Sequence, residues 1–394
     1  INNFQSYMKL LKDKKIILDQ KIRKDYIFKQ INKITKSKEI KIELNEKLLN
    51  EVNDLVERPK IITCKFNKDF LNIPKEILII SMQNHQKYFP TFDLNGNLTN
   101  LFLVVTNSDD KKNFVKQGNE RVIEARLKDA KFFWEKNKSQ NLIKQVSSLR
   151  SINFFKKLGS LFQKVQRIRK LGSQISDQLN FNKEKIEIAA SICKVDLLSD
   201  LVGEYPELQG IMGSYFAKEQ GFQDDISLAI QEHYLPTGLD SKVPKKPTSV
   251  ALAIVDKLDT LVGFFGIDEK PTSSKDPFAL RRAAFGMVRI IIENNLKLDL
   301  KDLINYSINL YEDQGFKFSN KSISRDLIVF LRERVKNYLK DKKIRPDIIE
   351  ASISTHTSSD FVSLFKKCQI LNKSIDKDIG KNVLASYRRV SNIL

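Results

Sequence analysis

The 394-residue chain is too long for one ordinary hydrophobic core, so we expect two or three domains. Its hydrophobic content of 41% is typical of a globular protein and excludes a largely disordered chain. With 68 basic and 48 acidic residues the formal net charge is +20, which favours a polyanionic partner such as nucleic acid. Because solvated lysines are ordinary surface residues, the charge alone does not identify that partner.

The cysteines and the apolar runs indicate the compartment. Cys64, Cys193 and Cys368 are widely spaced and odd in number, which excludes a zinc knuckle and a disulfide framework. No apolar run reaches the roughly 20 residues that span a bilayer, and the first residues do not form a signal peptide. We therefore expect a cytoplasmic protein without membrane contact. The chain opens without Met and stops inside a predicted helix, 385–394, so we expect a segment of a longer protein.

The amino-terminal third predicts a small α+β region. Helical spacing of apolar residues marks 6–33 and 43–56, and Arg58–Pro59 ends the second helix. Asn95–Gly96 is a turn signal between two short β-rich runs. The predicted strands are 61–66, 77–82, 88–92 and 101–106.

A long helix is predicted over residues 118–137, with one apolar stripe and basic residues on its other faces. The stripe consists of Ile123, Leu127, Ala130 and Trp134. The candidate phosphate-binding cations are Arg121, Arg126, Lys128 and Lys131. Such a row can follow RNA phosphates, or it can be a solvated face paired with Glu120, Glu124 and Asp129.

Beyond residue 141 almost no strand signal remains, so we expect the rest of the chain to be helical. Single helices are predicted over 158–179 and 184–202, followed by a glycine-rich elbow at 203–213. The elbow lacks the spacing and the lysine of a phosphate-binding loop, which favours a tight, packed corner. The polar stretch 352–360 is predicted to be a hinge.

Acidic residues interrupt two otherwise apolar helices. Asp256 and Asp259 lie one turn apart within the apolar run 249–262, and Asp196 interrupts the helix 184–202. A buried carboxylate must be paired, hydrogen-bonded or bound to a cation. We therefore predict that Asp196 and Asp256 lie near each other in one helical bundle and share partners.

A second basic group surrounds a predicted helix start. Asp276 followed by Pro277 is typical of an N-cap and the first helical position, next to Lys275, Arg281 and Arg282. Free backbone N–H groups and these cations suit a phosphate. The alternatives are solvated arginines, or an arginine that neutralises a buried acid such as Asp256 or Asp259.

Five motifs, taken in order, resemble the β subunit of bacterial heterotetrameric glycyl-tRNA synthetase. They are MQNHQKYFP (82–90), GNERVIEARLKDAKFF (118–133), ELQGIMG (207–213), EHYLP (232–236) and SKDPFALRR (274–282). The resemblance covers the whole chain but only the middle of the family's subunit. It implies an (αβ)₂ enzyme in which the α subunit binds ATP, Mg²⁺ and glycine while β binds tRNA(Gly). This chain would then hold no cofactor and no catalytic residue, and alone it would be inactive.

The helical middle also resembles the HD superfamily of metal phosphohydrolases. Asp256 matches its last metal-binding aspartate, and Asp196 matches the aspartate of its His-Asp pair. Lys164 and either Lys194 or Val195 stand where histidines are required, so the resemblance implies an HD fold without a metal. A working HD-type phosphohydrolase acting on nucleotides or RNA is the alternative function, and a basic RNA-binding scaffold without an enzyme partner is the third.

Together these patterns predict an α+β protein in which a small amino-terminal α+β region precedes a mainly α-helical HD-like bundle and further helices. The predicted domains are residues 1–135, a partial amino-terminal synthetase module; 136–300, the HD-like bundle; and 301–394, helices that lead into a truncated anticodon-binding domain.

Overall fold

The computed structural model describes residues 3–272, 275–355, 358–375 and 377–391. The chain folds into two compact units. The first unit comprises Ile1–Ser139 and Ser199–Leu208, and the second comprises Gln140–Leu198 and Gln209–Leu394. The division of the chain at residues 135 and 300 stays a prediction.

The helices and strands follow one another in this order. Through residue 139 they are α1 (Phe4–Asp13), α2 (Gln20–Ser37), α3 (Glu46–Leu55), β1 (Lys60–Lys65), α4 (Lys75–Ile80), β2 (Phe89–Phe92), β3 (Leu98–Thr106) and α5 (Phe114–Lys138). The next are α6 (Leu142–Gln145), β4 (Asn153–Phe155), β5 (Gly159–Ser160), α7 (Leu161–Leu179), α8 (Lys183–Ile192) and α9 (Asp200–Glu204). The last are α10 (Ile211–Glu219), α11 (Asp224–Glu232), α12 (Pro247–Gly266), α13 (Leu280–Glu293), α14 (Leu300–Asp313), α15 (Ile323–Asp341), α16 (Pro346–Ser354), α17 (Phe361–Ser374) and α18 (Asp378–Ser391).

A three-stranded antiparallel sheet in the order β1-β3-β2 forms the first unit with its helices. Cys64 of β1 lies opposite Phe102 of β3, and both side chains are buried. Asp93 N donates to Asn97 O at 2.8 Å and Gly96 has φ +86°, so the predicted turn is confirmed. The core of this region contains Ile27, Ile31, Leu48, Leu49, Val52, Val56, Phe89 and Leu103.

Residues 77–82 were predicted as a strand, and this prediction was wrong. The segment forms the end of α4, which Pro74 precedes, and a π-helical turn over Ser81–His85. The buried side chains are Ile77, Leu78, Ser81 and Met82, which lie on one helical face. Six consecutive apolar or small residues satisfy both the strand period and the helix period, so burial on one helical face decided the outcome.

The predicted helix over 6–33 is two helices. α1 ends at Asp13, and the Asp19 side chain caps α2 by accepting from Ile22 N at 2.9 Å. Between them Ile17 N donates to Glu57 O at 2.9 Å, a tertiary hydrogen bond that a continuous helix would not allow. In contrast, α5 is one long helix, and its buried side includes the predicted stripe of Ile123, Leu127, Ala130 and Trp134.

The second unit is mainly helical, as predicted, and α12 is its central element. Nearly every side chain of α12 from Thr248 to Gly266 is buried, and α7, α8, α11, α13, α14 and α15 contact it. β4 and β5 form a short antiparallel pair that the sequence did not indicate. The fold is therefore α+β, with a small sheet region and a mostly helical remainder.

The predicted helix 184–202 is interrupted. α8 ends at Ile192, a 3₁₀ turn covers Val195–Leu198, and α9 begins after Ser199. The interruption brings the carboxylate of Asp196 to the backbone N–H groups of Gly210, at 2.5 Å, and Gly213, at 3.2 Å. Gly210 has φ +79°, and a Cβ at Gly213 would lie 3.2 Å from the Asp196 carboxyl carbon, so the elbow is the tightly packed corner that was predicted.

The helix expected to begin at Pro277 instead begins at Leu280. The Asp276 carboxylate accepts from Leu280 N at 2.8 Å and from Arg281 N at 3.0 Å. The N-cap residue of α13 is therefore Ala279, and the prediction of Asp276 at that position was wrong. The Asp276 side chain still binds the helix start, where it occupies two N–H groups that were expected to be free. Of the predicted hinge 352–360, residues 356 and 357 lie outside the described part of the chain.

No helix in the described ranges combines the length and the apolar character that crossing a membrane requires.

Candidate functional site

Five charged side chains meet inside the second unit and form what we call the ionic cluster: Lys164, Arg167, Lys194, Asp256 and Asp259. All five residues are buried. Lys164 and Arg167 lie on α7, both acids lie on α12, and Lys194 follows α8. The helices that surround α12 thus supply the cations that its two carboxylates need.

Asp259 is held from three directions. Arg167 donates from Nε to one carboxylate oxygen at 2.7 Å and from a terminal nitrogen to the other at 3.2 Å. Lys164 Nζ lies 3.2 Å from the second oxygen, and the Tyr311 hydroxyl donates to the Asp259 carbonyl at 3.0 Å. The Arg167 guanidinium also lies 3.7 Å from the centre of the Tyr311 ring. This is a well-satisfied buried ion pair.

Asp256 pairs with two ammonium groups. The Nζ atoms of Lys164 and Lys194 each lie 3.2 Å from one of its carboxylate oxygens. Burial opposes ionisation of Asp256, but the charges of Lys164 and Lys194 outweigh it and hold the pKa of this carboxyl well below its usual range. The prediction that a buried acid on α12 must be paired is confirmed for Asp256 and for Asp259.

His233 and Lys257 extend the cluster. The Nδ1 atom of His233 lies 2.6 Å from Ile230 O and its Nε2 atom lies 2.8 Å from Lys194 Nζ, so Nδ1 donates and Nε2 accepts. Burial and the nearby Lys194 charge lower the pKa of His233, which keeps the ring neutral. Lys257 donates to the carbonyls of His233 and Leu235 at 3.0 and 2.7 Å, and burial lowers its pKa to about 7.

Asp196 is satisfied by a different route. Backbone N–H groups of the glycine elbow hold its carboxylate, and burial raises its pKa to about 6 while the Lys194 charge acts in the opposite direction. Lys194 forms its ion pair with Asp256, and its charge also acts on Asp196. A partner bound directly by both acids stays a prediction.

These residues do not fit a divalent metal. Lys164 and Lys194 place two positive charges against Asp256, where a metal would be repelled, and backbone amides already bind Asp196. Across the described residues there is no group of three or more His, Cys, Asp or Glu side chains that could hold an ion. The likeness to the HD superfamily and the absence of a bound metal stay predictions.

A second feature is an open cleft of about 440 Å³ between α13 and α15, which we call the cationic cleft. Its charged lining residues are Arg281, Arg282, Arg334 and Lys340, with Asp341 as the one acid among the lining residues that the structure describes. The other lining residues are Pro236, Gly238, Leu239, Phe285, Gly286 and Asn337. Four cations facing one carboxylate make this cleft suited to an anion.

The cleft brings two predicted residues together and leaves one out. Arg281 and Arg282 line it, whereas Lys275 is exposed and is not among its lining residues. Arg281 also donates to the Thr272 carbonyl, so this arginine does not neutralise Asp259, whose guanidinium partner is Arg167. Burial and the nearby Arg281 charge lower the pKa of Arg334, while Glu333 and Asp276 act in the opposite direction.

The four predicted cations of α5 belong to the first unit and differ in their surroundings. Arg126 lies 3.5 Å from Glu204, and Lys128 lies 3.1 Å from Glu124 one turn away. Arg121 is exposed and Lys131 is half-buried. Acids therefore pair with two of the four, as the solvated-face interpretation expects, and a polyanion would have to compete with those exposed pairs.

Sequence reasoning missed several members of both sites: Arg167, His233, Lys257, Arg334 and Lys340. Arg167 had a usable signal, because it lies three residues after Lys164 on the apolar stripe of α7. The sequence shows that α15 is rich in basic residues, but no local pattern places Arg334 and Lys340 opposite α13.

Comparisons with known proteins identify the family of the chain. A family model described as glycyl-tRNA synthetase beta subunit matches residues 1–354. Glycine–tRNA ligase beta subunits from Rickettsia canadensis and Colwellia psychrerythraea are each 40% identical, over 396 and 397 residues. One from Clostridioides difficile is 38% identical over 396 residues. Each match covers 100% of this chain and 57% of the relative, so the chain spans little more than half the length of these curated relatives. The chain belongs to the glycyl-tRNA synthetase beta subunit family.

Proposed function

We propose that this chain is the tRNA-binding part of the β subunit of a glycine–tRNA ligase. It supports the ATP-dependent attachment of glycine to tRNA(Gly), which a separate α subunit carries out. For a member of this family, the cationic cleft supports the proposal most strongly. Arg281 and Arg282 there lie opposite Arg334 and Lys340. Arginine forks and lysine ammonium groups are the side chains that bind RNA phosphates.

In this proposal the α subunit binds ATP, Mg²⁺ and glycine, and this chain binds no cofactor. The two subunits form an (αβ)₂ heterotetramer. The sequence supports this division because it lacks a glycine-rich ATP loop. The carboxylates and cations of the ionic cluster form internal ion pairs and are not open to a substrate, which agrees with a supporting role.

The alternative function, an HD-type phosphohydrolase, is disfavoured by the ionic cluster. Such an enzyme needs a metal-bound water next to its substrate. Here Lys164 and Lys194 neutralise Asp256 from within the protein, and both ammonium groups are buried.

Kinetics of the assembled enzyme test the proposal. Arg282→Ala removes an exposed cation of the cleft, so we expect the KM for tRNA(Gly) to rise by about tenfold, corresponding to one lost phosphate contact of about 1–3 kcal/mol. The KM for glycine and for ATP should stay unchanged, because those substrates belong to α.

The matched control is Arg169→Ala, which removes an equally exposed arginine from α7, a helix that does not line the cleft. Equal effects of the two substitutions on the KM for tRNA would contradict the proposed site. Charging of tRNA by this subunit in the absence of α would contradict the proposed division of labour.

A further inference from the structure

The cationic cleft has two chemically different sides. On α13, the cations Arg281 and Arg282 lie one helical turn before Phe285. On α15, Arg334, Asn337 and Lys340 follow one another at intervals of three residues and lie on one face. Pro236 and Leu239, which follow α11, add apolar surface. A simple phosphate site would not need this apolar lining.

The apolar side is held in place by packing. The Phe285 ring is half-buried and meets the Tyr338 ring edge-on at 6.2 Å between centroids. Gly286 carries no side chain, and a Cβ there would lie 3.3 Å from Pro236 Cγ and 3.2 Å from Lys257 Cε. Gly286 thus allows Pro236 to lie close to α13 beside Phe285. The apolar side chain of Leu239 is 67% exposed, so a ligand in the cleft can contact it.

The cationic side has unused hydrogen-bonding capacity. The buried Nε–H of Arg334 finds no acceptor in the described part of the chain. Arg281 donates from one terminal nitrogen to the Thr272 carbonyl, which positions its guanidinium. Its other donors have no partner among the residues that the structure describes. A buried donor without a partner is costly, so Arg334 would gain from an anion that reaches its guanidinium from the cleft.

The size of the cleft is informative as well. A volume of about 440 Å³ lies in the range of small-molecule sites and far exceeds what a single phosphate fills. A phosphate joined to a flat apolar group would use both sides. In RNA that combination is a nucleotide whose base is unpaired.

We propose that the cationic cleft binds one nucleotide, with its phosphate against Arg281 and Arg334 and its base against Phe285 and Leu239. The inference deepens the proposed function and rests on it, since RNA is then the natural source of the nucleotide. A free nucleoside monophosphate offers the same chemistry, and the experiment separates the two sources.

Calorimetric titration of the complete β subunit without α avoids any nucleotide site on the partner. The ligands are the four nucleoside 5′-monophosphates, ribose 5-phosphate and inorganic phosphate. At least one nucleotide is expected to bind about tenfold more tightly than ribose 5-phosphate, the gain expected from one stacked base. Phe285→Ala should abolish that difference, whereas Arg282→Ala and Lys340→Ala should weaken both ligands.

Arg282 and Lys340 are exposed, so their replacement should not disturb the fold. Thermal melting of every variant, including Phe285→Ala, checks that it is folded. Arg169→Ala serves as the charge-matched control and should change nothing. Equal affinity for ribose 5-phosphate and for every nucleotide would overturn the proposal, as would a Phe285→Ala variant with unchanged nucleotide affinity. In either case a weaker affinity of Arg282→Ala for tRNA would leave the proposed function standing.

Competition identifies the source. If the cleft takes a nucleotide of RNA, the tightest mononucleotide displaces a single-stranded RNA oligomer, and Phe285→Ala weakens that RNA by about tenfold. If the cleft takes free nucleotides, the mononucleotides still bind. The affinity for the RNA oligomer is then the same in their presence and in their absence. Failure of every mononucleotide and of the RNA oligomer to bind at the cleft contradicts the inference outright.

Discussion

Arg167 and Lys164 hold the carboxylate of Asp259, and Tyr311 binds its carbonyl. Asp259→Asn keeps the shape of the side chain but leaves the buried Arg167 guanidinium without its counter-charge. We expect the free energy of unfolding to fall by about 3–5 kcal/mol, measured by urea denaturation. Asp240→Asn, at an exposed position, should change it by less than about 0.5 kcal/mol. Similar small losses in both variants would show that the ionic cluster does not stabilise the fold.

The pKa of Asp196 predicts a pH dependence of stability. Its pKa is about 6 in the folded protein against an ordinary value of 3.8, so the folded state binds more protons between pH 4 and 6. Stability contributed at this site therefore falls as pH rises through that interval, by about 3 kcal/mol in total. The pKa of Asp256 is lowered in the folded protein, so the stability that this residue contributes is lost only as pH falls.

Asp196→Asn isolates this effect, because the amide oxygen can still accept from Gly210 and Gly213 but does not titrate. Relative to the unsubstituted protein, the variant should gain stability between pH 4 and pH 7, by an amount approaching about 3 kcal/mol. Urea unfolding at a series of pH values measures the difference. Parallel stability curves for the two proteins would show that Asp196 is ionised throughout this range.

Two glycines in helices predict opposite effects of the same substitution. Gly118 lies exposed on α5, and a Cβ there meets no atom within 4 Å, whereas a Cβ at Gly263 on α12 would overlap the Tyr311 hydroxyl. Gly118→Ala should raise the free energy of unfolding by about 0.5–1 kcal/mol. Gly263→Ala should lower it by about 1–3 kcal/mol, because the core around Tyr311 has no room. A gain at both positions would mean that α12 is not tightly packed against α14.

The elements also show what a sequence can predict and why. The apolar stripe of α5 and the turn at Asn95–Gly96 follow from local periodicity and turn chemistry, and both were predicted. The interruption after Ile192 depends on Asp196 reaching Gly210 and Gly213, which are distant in sequence. Local spacing carries no information about such a contact.

The same distinction applies to the two sites. Physical chemistry alone required partners for Asp256 and Asp259, and Lys164 and Lys194, which stand at the expected histidine positions, are two of those partners. Arg281 and Arg282 were recognised from the helix start beside them. Their convergence with Arg334 and Lys340 arises only when α13 packs against α15, so no single-sequence pattern could have supplied the full cleft.

At the scale of the whole molecule, a net charge of +20 predicts non-specific attraction to any polyanion. We propose more narrowly that specific cations contact tRNA phosphates. Other exposed cations contribute only to the overall electrostatic field of the protein. The salt dependence of binding separates these contributions, since each phosphate contact releases bound counterions from the RNA.

The most direct measurement is the affinity of the α–β complex for tRNA(Gly) over a range of salt concentrations. For Arg282→Ala in the cleft, and for Arg126→Ala on α5, the account predicts a loss of about 1–3 kcal/mol and a salt dependence that is lower by about one ion. The control Arg169→Ala should keep the slope of the unsubstituted complex. If Arg282→Ala and Arg126→Ala both retain its affinity and slope, the tRNA binds another face and the central claim is contradicted.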